Sequence, residues 1–284
     1  MAERPQPPGL PQVLTIHSGG AGLLPGREPV VLMYHGFCVD RRDDDPENLF
    51  VEVRRFEEQL SWLLAQGWRP LDLDGYLAAR RGQRSHARSF LVTIDDGFTS
   101  VLDLAVPVLQ RLGVPALLYV PADLAGRTAR WLPRPAEERL LDPAALRHLH
   151  GLPGIELGVH GGDHLDLRGC GREELDRQVH RAHGRLADLA GEPVRSFAYP
   201  FGAHDAAARV AVAAEGFAVA FSVYDDAGPH AVSRIDVNAT DTLASFRLKV
   251  QLPHYRRWWG ALERVPAVRR QVRALTTRTP RRAR

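Results

Sequence analysis

Two short polar segments carry side chains that could hold a metal ion and activate a water molecule. Asp95-Asp96 directly follows the apolar run Phe90–Ile94, and His160 and His164 stand four residues apart in a His-Gly-Gly-Asp-His segment. Adjacent ionised carboxylates repel each other, so a site that keeps both beside an apolar strand needs a cation or a shared proton. Two imidazoles and one carboxylate form the ligand set of catalytic zinc sites, which leaves a position open for water. Non-haem iron uses the same set, so these residues leave the metal open.

Both segments also have ordinary structural explanations. A pair of aspartates often begins a loop or caps a helix, and two histidines in a loop often face only solvent. Here each segment follows an apolar strand, and glycines beside it allow a ligand to approach the backbone closely. We therefore favour a metal site over these alternatives.

The elements that must position these residues follow an alternation of short apolar runs and longer segments of helical period. This alternation predicts repeated β-α units and a parallel sheet. The predicted strands are Pro29–Tyr34, Ser89–Ile94, Ala116–Val120, Ile155–Val159, Ser196–Tyr199, Ala218–Val223 and Val232–Val237. The predicted helices are Val53–Gln66, Leu102–Leu112, a short helix from Asp142-Pro143, Glu173–Ala190, Asp205–Glu215 and Ala244–Tyr255. The C-terminal ends of parallel barrel strands meet at one rim, so we expect His35, Asp95 and His160 in one site.

The composition is that of an ordinary globular protein, with 44% hydrophobic and 25% charged residues among 284. No repeat or linker divides the chain, so the sequence predicts one α/β domain at 29–255. An irregular lead-in rich in proline and glycine precedes it at 1–28, and a tail follows at 256–284. Two cysteines are too few for a disulfide scaffold or a cysteine-rich zinc module. The first residues lack the apolar core of a signal peptide, and no apolar run reaches the roughly 18 residues of a membrane span. We therefore expect a cytoplasmic protein.

Charge is distributed unevenly along the chain. The tail contains ten arginines and one acidic residue, Glu263, whereas the net charge of the whole chain is only +3, so the rest is acidic. A nucleic-acid enzyme would instead place its positive charge along the working surface. Trp258, Trp259 and Leu262 recur between the arginines, as in a segment that lies on an anionic membrane surface. A terminal helix packed on the barrel is the alternative.

Three motifs together resemble those of a known family. Ile94-Asp-Asp-Gly97, His160-x-x-x-His164 and Phe197-Ala-Tyr-Pro-Phe-Gly202, in this order, are similar to the successive motifs of the polysaccharide deacetylase family, carbohydrate esterase family four. The resemblance extends over residues 29–250. It implies a distorted (β/α) barrel of about seven parallel strands in a single domain. It also implies hydrolysis of N-acetyl groups on amino sugars with a divalent metal ion, usually Zn²⁺.

The resemblance assigns roles to individual positions. The implied metal ligands are Asp96, His160 and His164. Asp95 is then the general base that takes a proton from the attacking water, and the backbone N–H of Phe201 donates to the developing oxyanion. A general acid must finally protonate the leaving amine.

The chain departs from the family pattern at three places. Gly161 stands where a serine or threonine usually follows the first histidine, so one supporting hydrogen bond must come from elsewhere. Ala198 stands where an arginine usually orients the base, and Arg234 is a candidate substitute or, alternatively, a surface arginine. The late aspartate-tryptophan motif is not evident, because Ala, Gly and Pro follow Asp225-Asp226.

Two histidines compete for the role of general acid. Leu252-Pro253-His254 spells the late Leu-x-His motif from which most of the family takes this residue. The surrounding stretch is predicted as helix, however, with no strand to bring His254 to the rim. His35 directly follows the first predicted strand, and Tyr34-His35 resembles the early motif of a family branch that acts on exopolysaccharide. We therefore expect His35 to be the acid, with a structural role at the end of the strand as the alternative.

Together these observations predict a cytoplasmic, metal-dependent hydrolase that removes the N-acetyl group from an amino sugar in a polysaccharide precursor, glycolipid or glycosylated metabolite. The expected partners are this N-acetylated carbohydrate or glycolipid and, through the tail, the inner face of the membrane, with no nucleic acid. One alternative is an amidase or imidase acting on a small non-sugar amide, since a barrel and its ligands constrain the bond broken more than its surroundings. Another is a catalytically inactive carbohydrate-binding relative.

Overall fold

The computed structural model describes residues 29–83, 88–132, 138–224 and 226–252, which form an α/β fold. The strands are β1 (Val30–Tyr34), β2 (Gly36–Cys38), β3 (Phe50–Glu52), β4 (Arg69–Pro70), β5 (Ser89–Ile94), β6 (Ala116–Val120), β7 (Ile155–Val159), β8 (Ser196–Ala198), β9 (Val219–Phe221) and β10 (Ile235–Asp236). The helices are α1 (Val53–Ala65), α2 (Leu73–Arg80), α3 (Val106–Leu112), α4 (Pro143–His150), α5 (Arg172–Leu175), α6 (Ala182–Ala190), α7 (Ala206–Ala214) and α8 (Leu243–Gln251). Two π-helical turns lead into α3 and α6, Val101–Ala105 and Asp176–Arg181 respectively.

Seven strands lie side by side in the order β10, β1, β5, β6, β7, β8, β9, and every neighbouring pair is parallel. The chain before β10 also pairs with β9, because the backbone N–H of Ser222 donates to Val232 and that of Arg234 donates to Val223. The same segment continues into β10, which pairs with β1. The sheet therefore curls round into a distorted barrel, as predicted.

Alternate residues of the strands face two different apolar layers, as the period of two in a strand requires. Residues such as Val92 and Phe197 pack with the helices on the outside of the sheet. Their strand neighbours Leu91 and Ala198 belong to a separate inner cluster, which also receives Tyr76 from α2. Continued one step past the strand end, this alternation places Asp95 after β5 and His160 after β7 on the inner side. The rim of the barrel thus presents both residues toward one centre.

The structure refines the predicted elements. The helix predicted over 173–190 begins at Arg172 and is interrupted by the π-helical turn. The strand predicted over 232–237 is reduced to Ile235–Asp236, because the preceding residues bond to β9 instead. The strands β2, β3 and β4 were not predicted, since each has only two or three residues, and α2 was not predicted either. Cys38 and Cys170 are free thiols.

Several predictions concern residues outside the described part of the chain. These are the lead-in at 1–28, the tail at 256–284 and His254. Within the described ranges, no helix has both the length and the apolar character that a membrane crossing requires. The cytoplasmic location and the membrane contact of the tail stay predictions.

Candidate active site

Asp96, His160 and His164 form a buried cluster at the rim of the barrel. Asp96 Oδ1 lies 3.0 Å from His164 Nε2 and 3.4 Å from His160 Nε2, and one potential ligand atom from each residue lies within 4.8 Å of the others. Asp96 Oδ1 is buried and receives no hydrogen bond among the described residues, an arrangement that costs free energy unless a cation or donor compensates it. These three side chains therefore fit a divalent metal ion.

Backbone geometry turns the two carboxylates of Asp95-Asp96 in different directions. The N–H of Asp95 donates to the carbonyl of Tyr34 at 2.9 Å, so this residue still follows the hydrogen bonding of the sheet. Asp96 leaves it with a φ of 74°, and His164 has a φ of 63°. Non-glycine residues in this left-handed region store strain and cluster at functional sites. The turn thus separates a carboxylate aimed at the histidines from one that remains on the inner face of the barrel.

The two histidines are held in different ways. The ring of His160 has Nδ1 2.7 Å from the carbonyl oxygen of Ala198, which assigns a proton to Nδ1 and leaves Nε2 for the cluster. The ring of His164 stacks face to face on Trp131, with centroids 3.8 Å apart and planes 18° apart. Its Nδ1 is buried and has no hydrogen-bond partner in the described residues. Packing rather than a ring hydrogen bond therefore orients His164.

The charges of the cluster shift the pKa values of its members. Burial is the largest single effect on the pKa of Asp96 and would raise it, but His164, His160 and His35 together lower this pKa well below its ordinary value. Burial lowers the pKa of His164. For His160, burial is the largest single effect and would lower the pKa, but Asp95, Asp96 and the carbonyl of Ala198 together raise it.

Arg234 holds the carboxylate of Asp95 from inside the barrel. Its NH1 donates to Oδ1 and its NH2 donates to Oδ2, both at 2.7 Å, and its Nε donates to the carbonyl of Ser222 at 2.9 Å. Burial would raise the pKa of Asp95, but the charges of Arg234 and His160 lower it below its ordinary value. Arg234 is fully buried, so the alternative of a surface arginine is wrong. Asp95 is therefore an oriented, ionised carboxylate, with Oδ2 4.0 Å from His160 Nε2.

His35 reaches the same rim from the end of β1 and is half-buried there. Among the smaller causes, His35 lowers the pKa values of Asp95, Asp96 and His164, for each of which burial is the largest cause. The role of His35 as general acid stays a prediction. The structure brings His35 to the cluster, whereas His254 lies outside the described residues.

Phe201 lies in the turn Pro200–Gly202 that follows β8. Its backbone has a φ of 58°, and its side chain is 60% exposed. The ring stands edge-on to His164 with centroids 4.5 Å apart. Gly202 is required beside it, because a Cβ there would lie 2.5 Å from a methyl group of Val223. The turn therefore places the Phe201 backbone and an exposed apolar ring next to His164 of the cluster.

Trp131 was not predicted as a site residue. It lies in the segment between β6 and α4. Besides stacking on His164, its ring packs near Phe98, with centroids 6.4 Å apart. The tryptophan itself, in a segment of mixed polar and apolar residues, was the one available signal in the sequence. The ring of Trp131 therefore lines one side of the site.

Gln178 and Arg177, which contact the loop between the two histidines, were also missed. The signal in the sequence would have been polar side chains on the buried side of the helix predicted over 173–190. Helical periodicity alone did not set them apart from surface residues.

Comparisons with known proteins agree with this geometry. The family model described as polysaccharide deacetylase matches residues 82–220, a region that includes Asp95, both histidines of the cluster and Phe201, but neither His35 nor Arg234. A curated relative is YxkH of Bacillus subtilis (strain 168), described as a candidate polysaccharide deacetylase. It is 23% identical over 220 residues, which are 75% of this chain and 72% of the relative.

Solved structures share the fold. IcaB from Ammonifex degensii has a TM-score of 0.67 at 24% identity, over 81% of this chain and 97% of that protein. The Streptococcus pyogenes deacetylase PplD, in complex with acetate, has a TM-score of 0.68 at 17% identity, over 79% of this chain and 98% of that protein. These structures show the fold, and the family model and the curated relative, together with the motifs, support membership of the polysaccharide deacetylase family.

Proposed function

We propose that the protein is a metal-dependent N-deacetylase acting on an amino sugar in a polysaccharide precursor, glycolipid or glycosylated metabolite. The observation that carries this proposal is the ionised carboxylate of Asp95, gripped at both oxygens by Arg234 and set beside the cluster of Asp96, His160 and His164. Family membership supports the type of reaction. The acetate bound to the relative PplD is the acid that an N-deacetylase releases.

In this proposal Asp96, His160 and His164 hold the ion, and Zn²⁺ is the expected metal. Such an ion, when bound, polarises a carbonyl group and lowers the pKa of water. A carboxylate oxygen of Asp95 accepts the proton of the attacking water, while Arg234 keeps this carboxylate ionised and in one orientation. No other group of the described site combines an ionised carboxylate with this position.

Two further groups complete the proposed reaction. The backbone N–H of Phe201 donates to the acetamide oxygen as negative charge develops on it. His35 donates a proton to the nitrogen of the amino sugar when the C–N bond breaks, because an unprotonated amine is a poor leaving group. The products are acetate and the free amino sugar.

The proposed function is tested by acetate release from N-acetylated glycans, N-acetylated glycolipids and small non-sugar amides, using the protein loaded with Zn²⁺. We expect release from N-acetylated carbohydrates. Release from non-sugar amides alone would replace the proposal with the amidase or imidase. Binding of glycans without acetate release would instead favour an inactive carbohydrate-binding relative, against which the complete set of Asp95, Asp96, His160 and His164 argues.

The general acid is tested by two histidine substitutions. We expect His35→Ala to lower turnover roughly 10²-fold with the metal retained, because protonation of the leaving amine is then left to solvent. We expect His254→Ala to stay within a few-fold of the unmodified protein. Turnover and metal content of both variants provide the measurement, and the reverse ranking would mean that the late Leu-x-His motif supplies the acid.

A further inference from the structure

The loop that joins the two histidine ligands, residues 161–163, is clamped on both sides. On one side the backbone N–H of Ala122 donates to the carbonyl of Gly161 at 3.0 Å, and that of Asp123 donates to Gly162 at 2.7 Å. On the other side lies the side chain of Gln178, which is fully buried. The loop therefore has no freedom to shift without breaking buried hydrogen bonds.

Gln178 uses every hydrogen-bonding atom of its amide on this loop and its surroundings. Oε1 accepts from the backbone N–H of Gly162 at 2.7 Å and from that of Asp163 at 3.3 Å. Nε2 donates to Asp163 Oδ1 at 2.5 Å and to Glu174 Oε1 at 2.7 Å. One side chain thus binds both the backbone and the carboxylate of the loop, a combination that an apolar side chain of the same size cannot provide.

The glycines of the loop match this clamp. A Cβ at Gly161, whose φ is +74°, would lie 3.0 Å from Gln178 Oε1, and a Cβ at Gly162 would lie 2.9 Å from Asp123 Oδ2. The space that a larger residue would need at Gly161 is therefore already occupied by the amide of Gln178. The absence of a side chain at Gly161 thus leaves room for the amide of Gln178. Gln178 then makes the supporting hydrogen bond to the loop that Gly161, without a side chain, cannot make.

A local distortion of the helix brings Gln178 to the loop. Gln178 lies within the π-helical turn Asp176–Arg181 that separates α5 from α6. Such turns widen a helix by one residue and are frequent at functional sites. The neighbouring Arg177 adds a second link, because its NH2 donates to both carboxylate oxygens of Asp163 at 3.2 and 3.1 Å.

His164 depends on this loop more than His160 does. Metal-binding histidines usually donate their second ring N–H to a fixed acceptor, and His160 Nδ1 has such a partner in Ala198. His164 Nδ1 has none among the described residues. The position of its ring is then set by its backbone, which follows directly after the clamped loop, and by the stack on Trp131.

We propose that Gln178 is a positioning residue of the metal site, which fixes the loop so that His164 Nε2 stays aimed at Asp96. This inference rests on the proposed function, since it concerns the ion that Asp96, His160 and His164 would hold. It assigns to Gln178 the supporting hydrogen bond that is missing at Gly161.

The test compares Zn²⁺ affinity in two variants that each remove a buried glutamine. In Gln178→Met we expect Zn²⁺ to bind about 10–100-fold more weakly in competition with a chromogenic chelator, the range found when such supporting residues are removed. Gln59→Met is the matched control. Gln59 is equally buried and accepts one hydrogen bond from Tyr34, on the helix side of the sheet, so we expect its loss to leave Zn²⁺ affinity unchanged.

Four outcomes are distinguishable. Equal affinity in Gln178→Met and the unmodified protein, or the same loss in both variants, would overturn the inference. Absence of Zn²⁺ binding by the unmodified protein would instead overturn the proposed metal site itself. If Gln178→Met does not fold, Gln178→Asn is used in its place. Asparagine keeps the amide, but its side chain is one methylene too short to reach the loop and Glu174 together. We then expect weaker Zn²⁺ binding in Gln178→Asn than in Gln59→Asn, and equal binding would overturn the inference.

Discussion

Asp95→Asn protein is expected to retain its metal and to lose turnover by about 10²–10⁴-fold, the range that a general base contributes. The reason is that an amide cannot accept the proton of the attacking water. The side chain keeps its shape, and the ligands Asp96, His160 and His164 are untouched. Metal content by mass spectrometry and the rate of acetate release provide the two measurements.

His160→Ala is the matched control for this prediction. It removes a proposed metal ligand. Among the described residues, His160 is the one histidine of the cluster whose ring hydrogen-bonds to a backbone carbonyl, that of Ala198. We expect it to lose both metal and activity. If Asp95→Asn lost its metal while His160→Ala kept it, the roles assigned to these residues would be wrong.

Arg234→Met is expected to lower the free energy of unfolding by about 3–5 kcal/mol, the usual cost of leaving a buried charge without its partner. Both guanidinium N–H groups that bind Asp95 would be lost, and the carboxylate of Asp95 is buried at 2% exposure. Turnover should fall as well, because the base is no longer held in one orientation. Chemical denaturation and acetate release measure the two effects.

Two further variants separate this pair from its surroundings. Arg195→Met removes an arginine that bonds to Glu156 and Asp74 but is 42% exposed, so we expect a change of at most about 1 kcal/mol. The double variant Arg234→Met with Asp95→Asn removes both charges and should recover part of the lost stability. An equal loss of unfolding free energy in Arg195→Met and Arg234→Met would contradict the stabilising role of the buried pair of Arg234 and Asp95.

The sequence predicted the strands and the rim of the barrel well. The buried strands Ser89–Ile94, Ala116–Val120 and Ile155–Val159 have the predicted bounds, because each is a short, mostly apolar run with polar residues, glycine or proline on either side. The polar residues that follow two of them meet at one rim, since parallel strands all end on the same side. Local patterns were sufficient for these features.

The contacts that complete the site were beyond local patterns. Asp95 and Arg234 are 139 residues apart, and they meet only because the segment before β10 crosses between β9 and β1. The stack of Trp131 on His164 depends on how a loop folds back over the rim. Gln178 reaches its loop through a π-helical turn, which has no apolar period distinct from that of an ordinary helix.

The central claim is that acetate release depends on one divalent ion held by Asp96, His160 and His164. It is tested most directly by stripping the protein of metal with a chelator and titrating Zn²⁺ back while acetate release from an N-acetylated amino-sugar oligomer is measured. We predict no release from the stripped protein, recovery that saturates at one ion per chain, and no recovery in His160→Ala. Unchanged release from the stripped protein, or recovery in His160→Ala equal to that of the unmodified protein, would contradict the claim.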